Sequence, residues 1–246
     1  MSSALLLAAL NVACGAGTDT GAATTDSRQS ADAAAAVDTP QPARSSQRDG
    51  RGVVLFLGTS LTAGYGVGDD VAFPALIQHK IDSAGLPYRT INAGISGETS
   101  AGGLARLDWM LQQPIDVLVL ELGANDGLRG YDVATLRTNL DAILRGTRDR
   151  YPDAALVIAG MEAPPNMGER YTTRFRNTFR DLAREYDAAL VPFLLQDVAA
   201  EAALNLDDGI HPNPQGHAIV AANVWKVLGP VLEARAAANA TSGESS

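Results

Sequence analysis

Cysteine and histidine are scarce in this sequence. The 246 residues include one cysteine, Cys14, so no disulfide bond can form within the chain. There are three histidines, and neither an HExxH nor a CxxC pattern occurs. Scattered histidines without such spacing make a weak case for a metal site.

Basic residues are also few. The chain has 19 Lys and Arg against 28 Asp and Glu, which gives a formal net charge of -9. Such a protein is poorly suited to bind nucleic acid or an anionic membrane surface. Apolar residues make up 46% and charged residues 19% of the sequence, as in an ordinary globular protein of one or at most two domains.

The N-terminal segment 1–10 is apolar but short. A membrane-spanning helix needs about 20 apolar residues, whereas the core of a signal peptide needs fewer. Small residues precede Cys14, as at a bacterial lipoprotein cleavage site, although no Lys or Arg comes before the run and Asn11 stands where Leu is usual. We predict a signal segment at 1–14, lipid attachment at Cys14 and export to the periplasm or membrane. The alternative is a tail without a targeting role.

Two segments have a composition that is typical of disorder. Residues 15–50 are rich in Ala, Thr, Ser, Asp, Gln and Pro, and they contain no aromatic residue, no Leu and no Ile. Such a segment buries too little apolar surface to offset the entropy of ordering it. We predict a flexible linker at 15–50 and a disordered tail at 236–246.

Between these segments, apolar runs alternate with helical patterns. The runs predict five strands, at 52–57, 88–92, 117–121, 155–159 and 189–192. The helical patterns lie at about 72–84, 100–112, 132–151, 169–187 and 215–235. This alternation predicts one α/β domain over 51–235, a three-layer sandwich with a five-stranded parallel sheet and helices on both faces.

Glycine-rich polar segments follow the first three strands, at 58–60, 93–97 and 123–127. Ligands of parallel α/β sheets bind beyond the carboxyl ends of the strands. We therefore expect these three loops to converge on a functional site at one edge of the sheet.

The first of these loops contains Ser60, which follows Gly58 and is predicted to open a helical turn. A helix N-terminus offers unpaired N–H groups and a favourable dipole for developing negative charge. That position suits a nucleophile, but a serine there is also common as a helix cap.

A candidate base lies near the C-terminus, in the segment DGIHP at 208–212. His211 could accept the proton of Ser60 while Asp208 holds its other nitrogen, and the spacing favours Asp208 over Asp207. The alternative is a surface turn. Of the other histidines, His217 is expected to be structural within the last helix, and His79 to lie on the surface.

Two further loop residues could stabilise an oxyanion. Asn125 could donate from its side-chain amide, and Gly94 could donate its backbone N–H. Taken separately, each is more typical of a turn. Together with the N–H of Ser60, they would complete the site of a serine hydrolase.

The combination resembles the SGNH, or GDSL-like, hydrolase family over about 51–235. The segments GANDGLRG at 123–130 and DDGIHPN at 207–213 are typical of its branch of bacterial arylesterases and periplasmic thioesterase I/lysophospholipase L1. The resemblance implies a flavodoxin-like fold and a triad of Ser60, Asp208 and His211. It also implies an oxyanion hole of Ser60, Gly94 and Asn125, and a reaction without metal or organic cofactor.

The resemblance implies a serine esterase that acts on aryl or acyl esters, thioesters or lysophospholipids. One departure is Thr59, which stands where the family's name motif has Asp. Apolar residues in the loops beyond the third and fourth strands could line an acyl groove, or could serve only to pack the loops: Leu128, Met161, Ala163, Pro164, Pro165 and Met167. Two alternatives remain, a carbohydrate O-acetylesterase and an inactive, tethered binding protein.

Overall fold

The computed structural model of the protein describes residues 50–243. The predicted signal segment 1–14 with Cys14, and the predicted linker apart from Gly50, lie outside the described residues. No helix in 50–243 combines the length and apolar character needed to cross a membrane.

Five parallel strands form one sheet: β1 (Gly52–Gly58), β2 (Tyr88–Gly94), β3 (Val117–Glu121), β4 (Ala155–Ala159) and β5 (Ala189–Val191). Their order is β2-β1-β3-β4-β5. Strands β1 and β3 are buried on both faces, which explains why their sequences are nearly continuous apolar runs. The predicted parallel sheet is confirmed, although β2 continues two residues beyond its predicted end.

The first three strands end side by side. Gly58, the last residue of β1, is in register with Gly94 of β2 and with Glu121 of β3. Since β1 lies between β2 and β3, the chain leaves β1 first toward one side of the sheet and later toward the other. The loops after these strands therefore meet at the point where such sheets bind ligands, as the sequence predicts.

Helices cover both faces of the sheet. Those in the described residues are α1 (Ser60–Ala63), α2 (Phe73–Ser83), α3 (Ser100–Ala105), α4 (Leu107–Met110), α5 (Ala124–Leu128), α6 (Val133–Arg150), α7 (Glu169–Glu185) and α8 (Pro214–Gly243). Helix α2 packs against α8, whereas α6 packs against α3 and α7. Because right-handed crossovers in opposite directions place helices on opposite faces, these two groups form the outer layers of the predicted sandwich.

The helical prediction differs from the structure in the region after β2. The predicted helix 100–112 is divided into α3 and α4 at Arg106, whose backbone leaves the helical region (φ -105°, ψ 3°). The guanidinium of Arg106 donates to Glu98 at 2.7 Å and to the carbonyl of Ala93 at 2.6 Å. Arg106, which lies at the break, thus links the end of β2 and the segment after it to the helical layer.

The last helix continues beyond its predicted end at 235. Helix α8 extends to Gly243, so the predicted disordered tail 236–246 is corrected to helix over 236–243. Alanine has the highest helix propensity, and residues 234–240 contain five alanines. Local propensity therefore extends this helix after its apolar pattern has ended.

Candidate active site

The turn after β1 presents Ser60 at the edge of the sheet. Thr59 precedes the helix in an extended conformation (φ -98°, ψ -153°), and its side chain accepts a hydrogen bond from the N–H of Leu61. Thr59 is therefore the cap, and Ser60 is the first residue of α1, where its own N–H has no partner within the helix. Gly64 ends this short helix with a φ of +74°.

His211 approaches Ser60 from the opposite end of the chain. Its Nε2 lies 2.9 Å from Ser60 Oγ, and its Nδ1 lies 2.7 Å from Asp208 Oδ2. A carboxylate beside Nδ1 favours the tautomer with the proton on that nitrogen, which leaves Nε2 free to accept the proton of the hydroxyl. The structure brings these three predicted residues together, and it is Asp208 rather than Asp207 that contacts the ring.

The carboxylate of Asp208 is held by the turn that carries the histidine. Its Oδ1 accepts from the backbone N–H of Ile210 at 2.9 Å and of His211 at 3.0 Å. Hydrogen bonds from the backbone and the ring of His211, followed by that from Ile210, lower the pKa of Asp208 to about 2. The group is therefore negatively charged at neutral pH and can stabilise a protonated imidazole.

Tyr65 covers the imidazole and was not singled out by the sequence analysis. Its ring centroid lies 4.5 Å from that of His211, with 41° between the ring planes. Tyr65 is half exposed and lines the same cavity as Ser60. A tyrosine at this position of a short turn carries no distinctive pattern, so only the fold shows its contact with the base.

Asn125 lies at the start of α5, directly after β3. Its Nδ2 donates to the carbonyl of Glu98 at 2.9 Å, which orients the amide. An amide nitrogen has two N–H donors, so one remains for a ligand. Asn125 and Ser60 line one cavity, as the prediction of a shared oxyanion site requires.

Gly94 is not positioned to stabilise an oxyanion, so this prediction is wrong. Its N–H donates to Oδ1 of Asn92 at 3.0 Å. A Cβ at Gly94 would lie 2.2 Å from the backbone nitrogen of Ala63, so the glycine permits close packing of β2 against α1. The error arises because β2 extends to Gly94, which places this residue in the sheet rather than in the loop.

Gly97 is the glycine of this loop that reaches the cavity. Its φ of +79° lies in the left-handed region that favours glycine. Among the described residues, none accepts a hydrogen bond from its N–H, while its carbonyl accepts from Nη2 of Arg129 at 3.0 Å. Gly97 is thus available as the donor that the sequence analysis assigned to Gly94.

A buried network holds the helix that carries Asn125. Asp126 accepts hydrogen bonds from the backbone N–H of Ser100 at 2.9 Å and from its hydroxyl at 2.6 Å. The amide of Asn139 donates to the same hydroxyl at 3.0 Å. Helix α5 is thereby fixed to α3 and α6, which limits movement of the adjacent Asn125.

A buried carboxylate lies behind the Ser60 turn. Glu121 ends β3, is inaccessible to solvent, and accepts hydrogen bonds from the backbone and side chains of Thr59 and Thr62. Burial raises the pKa of Glu121 to about 7, against the lowering effect of these hydrogen bonds. In the sequence, Glu121 is recognisable only as the end of an apolar strand.

An open cavity of about 650 Å³ lies in front of Ser60. Much of its wall is apolar and includes Leu61, Leu128, Met161, Ala163, Pro164, Pro165 and Phe193. Five of the six residues predicted to line an acyl groove therefore do so. Met167 does not, and its Cε instead lies against Gly130. Glu162 also lines the cavity, and its carboxylate pairs with Arg176.

The other two histidines take no part in this arrangement. His217 lies in α8, is 1% exposed, and accepts a hydrogen bond at Nδ1 from the N–H of Phe73 at 3.2 Å. Burial, and secondarily the charge of His211, lower the pKa of His217 to about 4. His79 is exposed on α2. Within 50–243, no group of His, Cys, Asp and Glu side chains is arranged to hold a metal ion.

Comparison with known proteins gives consistent matches over this domain. The profile of the GDSL-like lipase/acylhydrolase family matches residues 56–219. The chain is 39% identical to esterase TesA of Pseudomonas aeruginosa over 180 residues, which cover 73% of this chain and 89% of the relative. It is also 39% identical to thioesterase 1/protease 1/lysophospholipase L1 of Escherichia coli over 181 residues, or 73% of this chain and 84% of that one.

A solved structure agrees with the fold. The psychrotrophic esterase EstA from Pseudoalteromonas sp., inhibited by monoethylphosphonate, superposes with a TM-score of 0.69 at 34% sequence identity. The alignment covers 74% of this chain and 98% of EstA. The similarity thus extends over nearly the whole of the described domain.

Proposed function

Because this chain belongs to the GDSL-like lipase/acylhydrolase family and is a carboxylic ester hydrolase, we propose that it acts through an acyl-enzyme formed on Ser60. The observation that carries the proposal is the continuous chain of hydrogen bonds from Ser60 Oγ through His211 to Asp208. This chain ends at the wall of an open, largely apolar cavity.

In the first half of the reaction, Ser60 Oγ attacks the carbonyl carbon of an ester or thioester. His211 Nε2 takes the hydroxyl proton, while Asp208 holds Nδ1–H and stabilises the positive charge on the ring. The tetrahedral intermediate then collapses, the bond to the leaving oxygen or sulfur breaks, and His211 returns the proton to that atom. General base catalysis of this kind contributes about 10²- to 10⁴-fold in rate.

In the second half, water replaces the leaving group. His211 accepts a proton from the water as its oxygen attacks the acyl carbon, and then gives that proton to Ser60 Oγ. The carboxylic acid leaves and the hydroxyl of Ser60 is restored. Because Asp208 holds Nδ1, Nε2 of His211 serves both as base and as acid.

Three donors are suited to the negative charge on the carbonyl oxygen. They are the N–H of Ser60, the N–H of Gly97 and the second N–H of Asn125 Nδ2, which all line the cavity. Each donor of this kind contributes about 3 kcal/mol to the stability of a transition state. Gly97 takes the role that the sequence analysis gave to Gly94.

The cavity favours acyl or aryl esters over esters of sugars. Leu128, Met161, Pro164 and Pro165 offer an apolar wall for a hydrocarbon group. We therefore propose substrates with an apolar acyl or aryl part, including acyl thioesters and lysophospholipids. A series of p-nitrophenyl esters of increasing acyl length, compared with acetylated sugars, tests this choice. Higher kcat/KM for acetylated sugars would contradict it.

The test of the proposed mechanism is hydrolysis of a p-nitrophenyl ester by Ser60→Ala. The variant is expected to lose at least about 10³-fold in kcat, because without Ser60 Oγ no acyl-enzyme can form. Ser96→Ala is the matched control, since Ser96 lines the same cavity but the hydrogen bonds of the His211 ring go to Ser60 and Asp208. Wild-type turnover by Ser60→Ala would refute the mechanism.

We also propose that the enzyme is exported and lipidated at Cys14. The support is the order of a short apolar run, small residues and Cys14 in the N-terminal sequence. Mass spectrometry of Cys14 peptides from the membrane fraction tests this proposal. A diacylglyceryl adduct is expected, and an unmodified Cys14 in mature protein would contradict it.

A further inference from the structure

Glu121 is an ionisable residue buried on the central strand of the sheet. It is the last residue of β3, has no exposed surface, and its partners are the uncharged groups of Thr59 and Thr62. Burial of a carboxylate costs free energy that a hydrophobic residue at the same place would not cost. An apolar side chain would suit this position in the strand and the core better. The role of the carboxylate must therefore be sought in the groups that it contacts.

All of those partners belong to the turn that presents Ser60. The Oε2 atom accepts from the N–H of Thr59 at 2.8 Å, and from the N–H and hydroxyl of Thr62 at 3.2 and 2.8 Å. The hydroxyl of Thr59 donates to Oε1 at 3.0 Å. Since Thr59 precedes Ser60 and Thr62 follows it by two residues, the carboxylate fixes the backbone on both sides of the serine.

Strand β1 leaves space for the carboxylate of Glu121, and strand β2 adds a further hydrogen bond to the turn. A Cβ at Gly58 would come within 2.6 Å of Glu121 Oε2 and 2.1 Å of the Thr62 hydroxyl, so only glycine admits the carboxylate there. From the other side, Nδ2 of Asn92 donates to the carbonyl of Thr62 at 2.8 Å. The Ser60 turn is thus held by side chains of the strands that flank β1.

We propose that Glu121 is a positioning residue for ester hydrolysis, because its carboxylate anchors Thr59 and Thr62 and thereby sets the place of the Ser60 hydroxyl and N–H. The inference rests on the proposed role of Ser60. Glu121 lies behind the turn, whereas Thr59, Ser60 and Leu61 form the cavity wall, so the carboxylate acts through the turn and does not touch substrate. Its loss is therefore expected to lower kcat more than it changes KM.

The first test is Glu121→Gln. An amide keeps the size of the carboxyl but turns one acceptor into an N–H₂ donor. At the place of Oε2 this group would face three donors of Thr59 and Thr62, and at the place of Oε1 it would force the Thr59 hydroxyl to accept instead of donate. A displacement of Ser60 by a fraction of an ångström is expected to lower kcat about 10- to 100-fold, with KM within about twofold of wild type.

Asp116→Asn is the matched control for this exchange. Asp116 accepts a hydrogen bond from the N–H of Val53 at 2.8 Å, at the opposite end of the sheet. The same carboxyl-to-amide change is therefore made far from Ser60, and kcat is expected to stay within about twofold of wild type. Thermal unfolding of both variants shows whether a lower kcat comes from unfolding of the protein or from displacement of Ser60 in a folded protein.

A second pair of variants keeps the inference falsifiable if Glu121→Gln does not fold. Thr62→Ser keeps the hydroxyl that donates to Glu121, whereas Thr62→Val keeps the shape and removes the donor. We expect Thr62→Val to lower kcat about tenfold at an unchanged KM, and Thr62→Ser to restore most of it.

The outcomes separate this inference from the proposed mechanism. A folded Glu121→Gln with wild-type kcat, or equal kcat in Thr62→Val and Thr62→Ser, overturns the role of Glu121 while an inactive Ser60→Ala still supports the nucleophile. A rise in KM at unchanged kcat also overturns it. Turnover by Ser60→Ala at the wild-type rate overturns the proposed mechanism instead.

Discussion

Nε2 of His211 lies 2.9 Å from Oγ of Ser60, although 151 positions separate the two residues in the sequence. The sheet brings the turn after β1 beside the segment that precedes α8. Ser60 is held from within the sheet by the contacts of Glu121, whereas His211 is held by a local turn on Asp208. Nucleophile and base are therefore positioned by separate elements, and each can be tested separately.

Asp208→Asn tests the second half of the hydrogen-bonded chain. Replacing the carboxylate by an amide removes the charge that stabilises the imidazolium and weakens the preference for the proton on Nδ1, so kcat is expected to fall by on the order of 10⁴. Steady-state hydrolysis of a p-nitrophenyl ester measures the loss. Asp207→Asn is the adjacent control, and equal losses in both variants would contradict the assignment of Asp208.

Asn125→Ala tests the side-chain donor of the oxyanion hole. The loss of one N–H donor is expected to lower kcat by about 10²-fold, with a smaller change in KM, because the interaction strengthens as charge develops. Asn125→Asp removes the same donor and adds a negative charge near the oxyanion, so it is expected to be slower still. An alanine variant with wild-type kcat would exclude Asn125 as a donor.

Gly94→Ala and Gly97→Ala test whether Gly94 is needed for packing while Gly97 is an open loop residue. A methyl group at Gly94 would meet the backbone of Ala63, and overpacking of this kind costs about 1–3 kcal/mol of folding free energy. At Gly97 the nearest atom would be Nη2 of Arg129 at 3.9 Å, so the cost is the strain of positive φ, about 1 kcal/mol. Urea unfolding should show the larger loss at Gly94, and the reverse order would contradict these assignments.

The buried His217 makes stability depend on pH in the acidic range. Its pKa is about 4 in the folded protein and 6.5 as the ordinary value, so between these pH values the unfolded chain binds a proton that the folded chain does not. The contribution of His217 to the free energy of unfolding is complete above pH 6.5. It is lost as the pH falls toward 4, and the loss amounts to up to about 3 kcal/mol. His217→Asn should show a flatter dependence in urea unfolding, and an unchanged slope would contradict this account.

The order of the elements was predictable because each central strand is buried on both faces. Continuous apolar runs such as Val53 to Leu57 identify these strands, and the alternation with helices identifies the parallel sheet. The end of α8 was not predictable from its apolar pattern, because alanine propensity and not burial extends it to Gly243. The break at Arg106, where the side chain contacts Glu98, interrupts a segment whose apolar pattern is continuous, so no local signal predicts it.

The site was predictable where function and local pattern coincide. Ser60, Asn125, Asp208 and His211 follow strands or lie in tight turns, and the structure brings them together. The assignment of Gly94 to the oxyanion hole is wrong because β2, predicted to end at 92, extends to Gly94, so the loop glycine that reaches the cavity is Gly97. Contacts through the sheet, such as those of Glu121 with Thr59, carry no signal in a single sequence.

The most direct test of the central claim is the covalent adduct formed with a fluorophosphonate, located by peptide mass spectrometry. The account predicts one adduct per chain, on Ser60, which appears in step with the loss of esterase activity and is absent from Ser60→Ala. It also predicts that labelling slows strongly in His211→Ala, because the hydroxyl is activated only by its contact with Nε2. A full loss of activity with the adduct on another serine, or unaltered labelling of Ser60 in His211→Ala, would contradict the account.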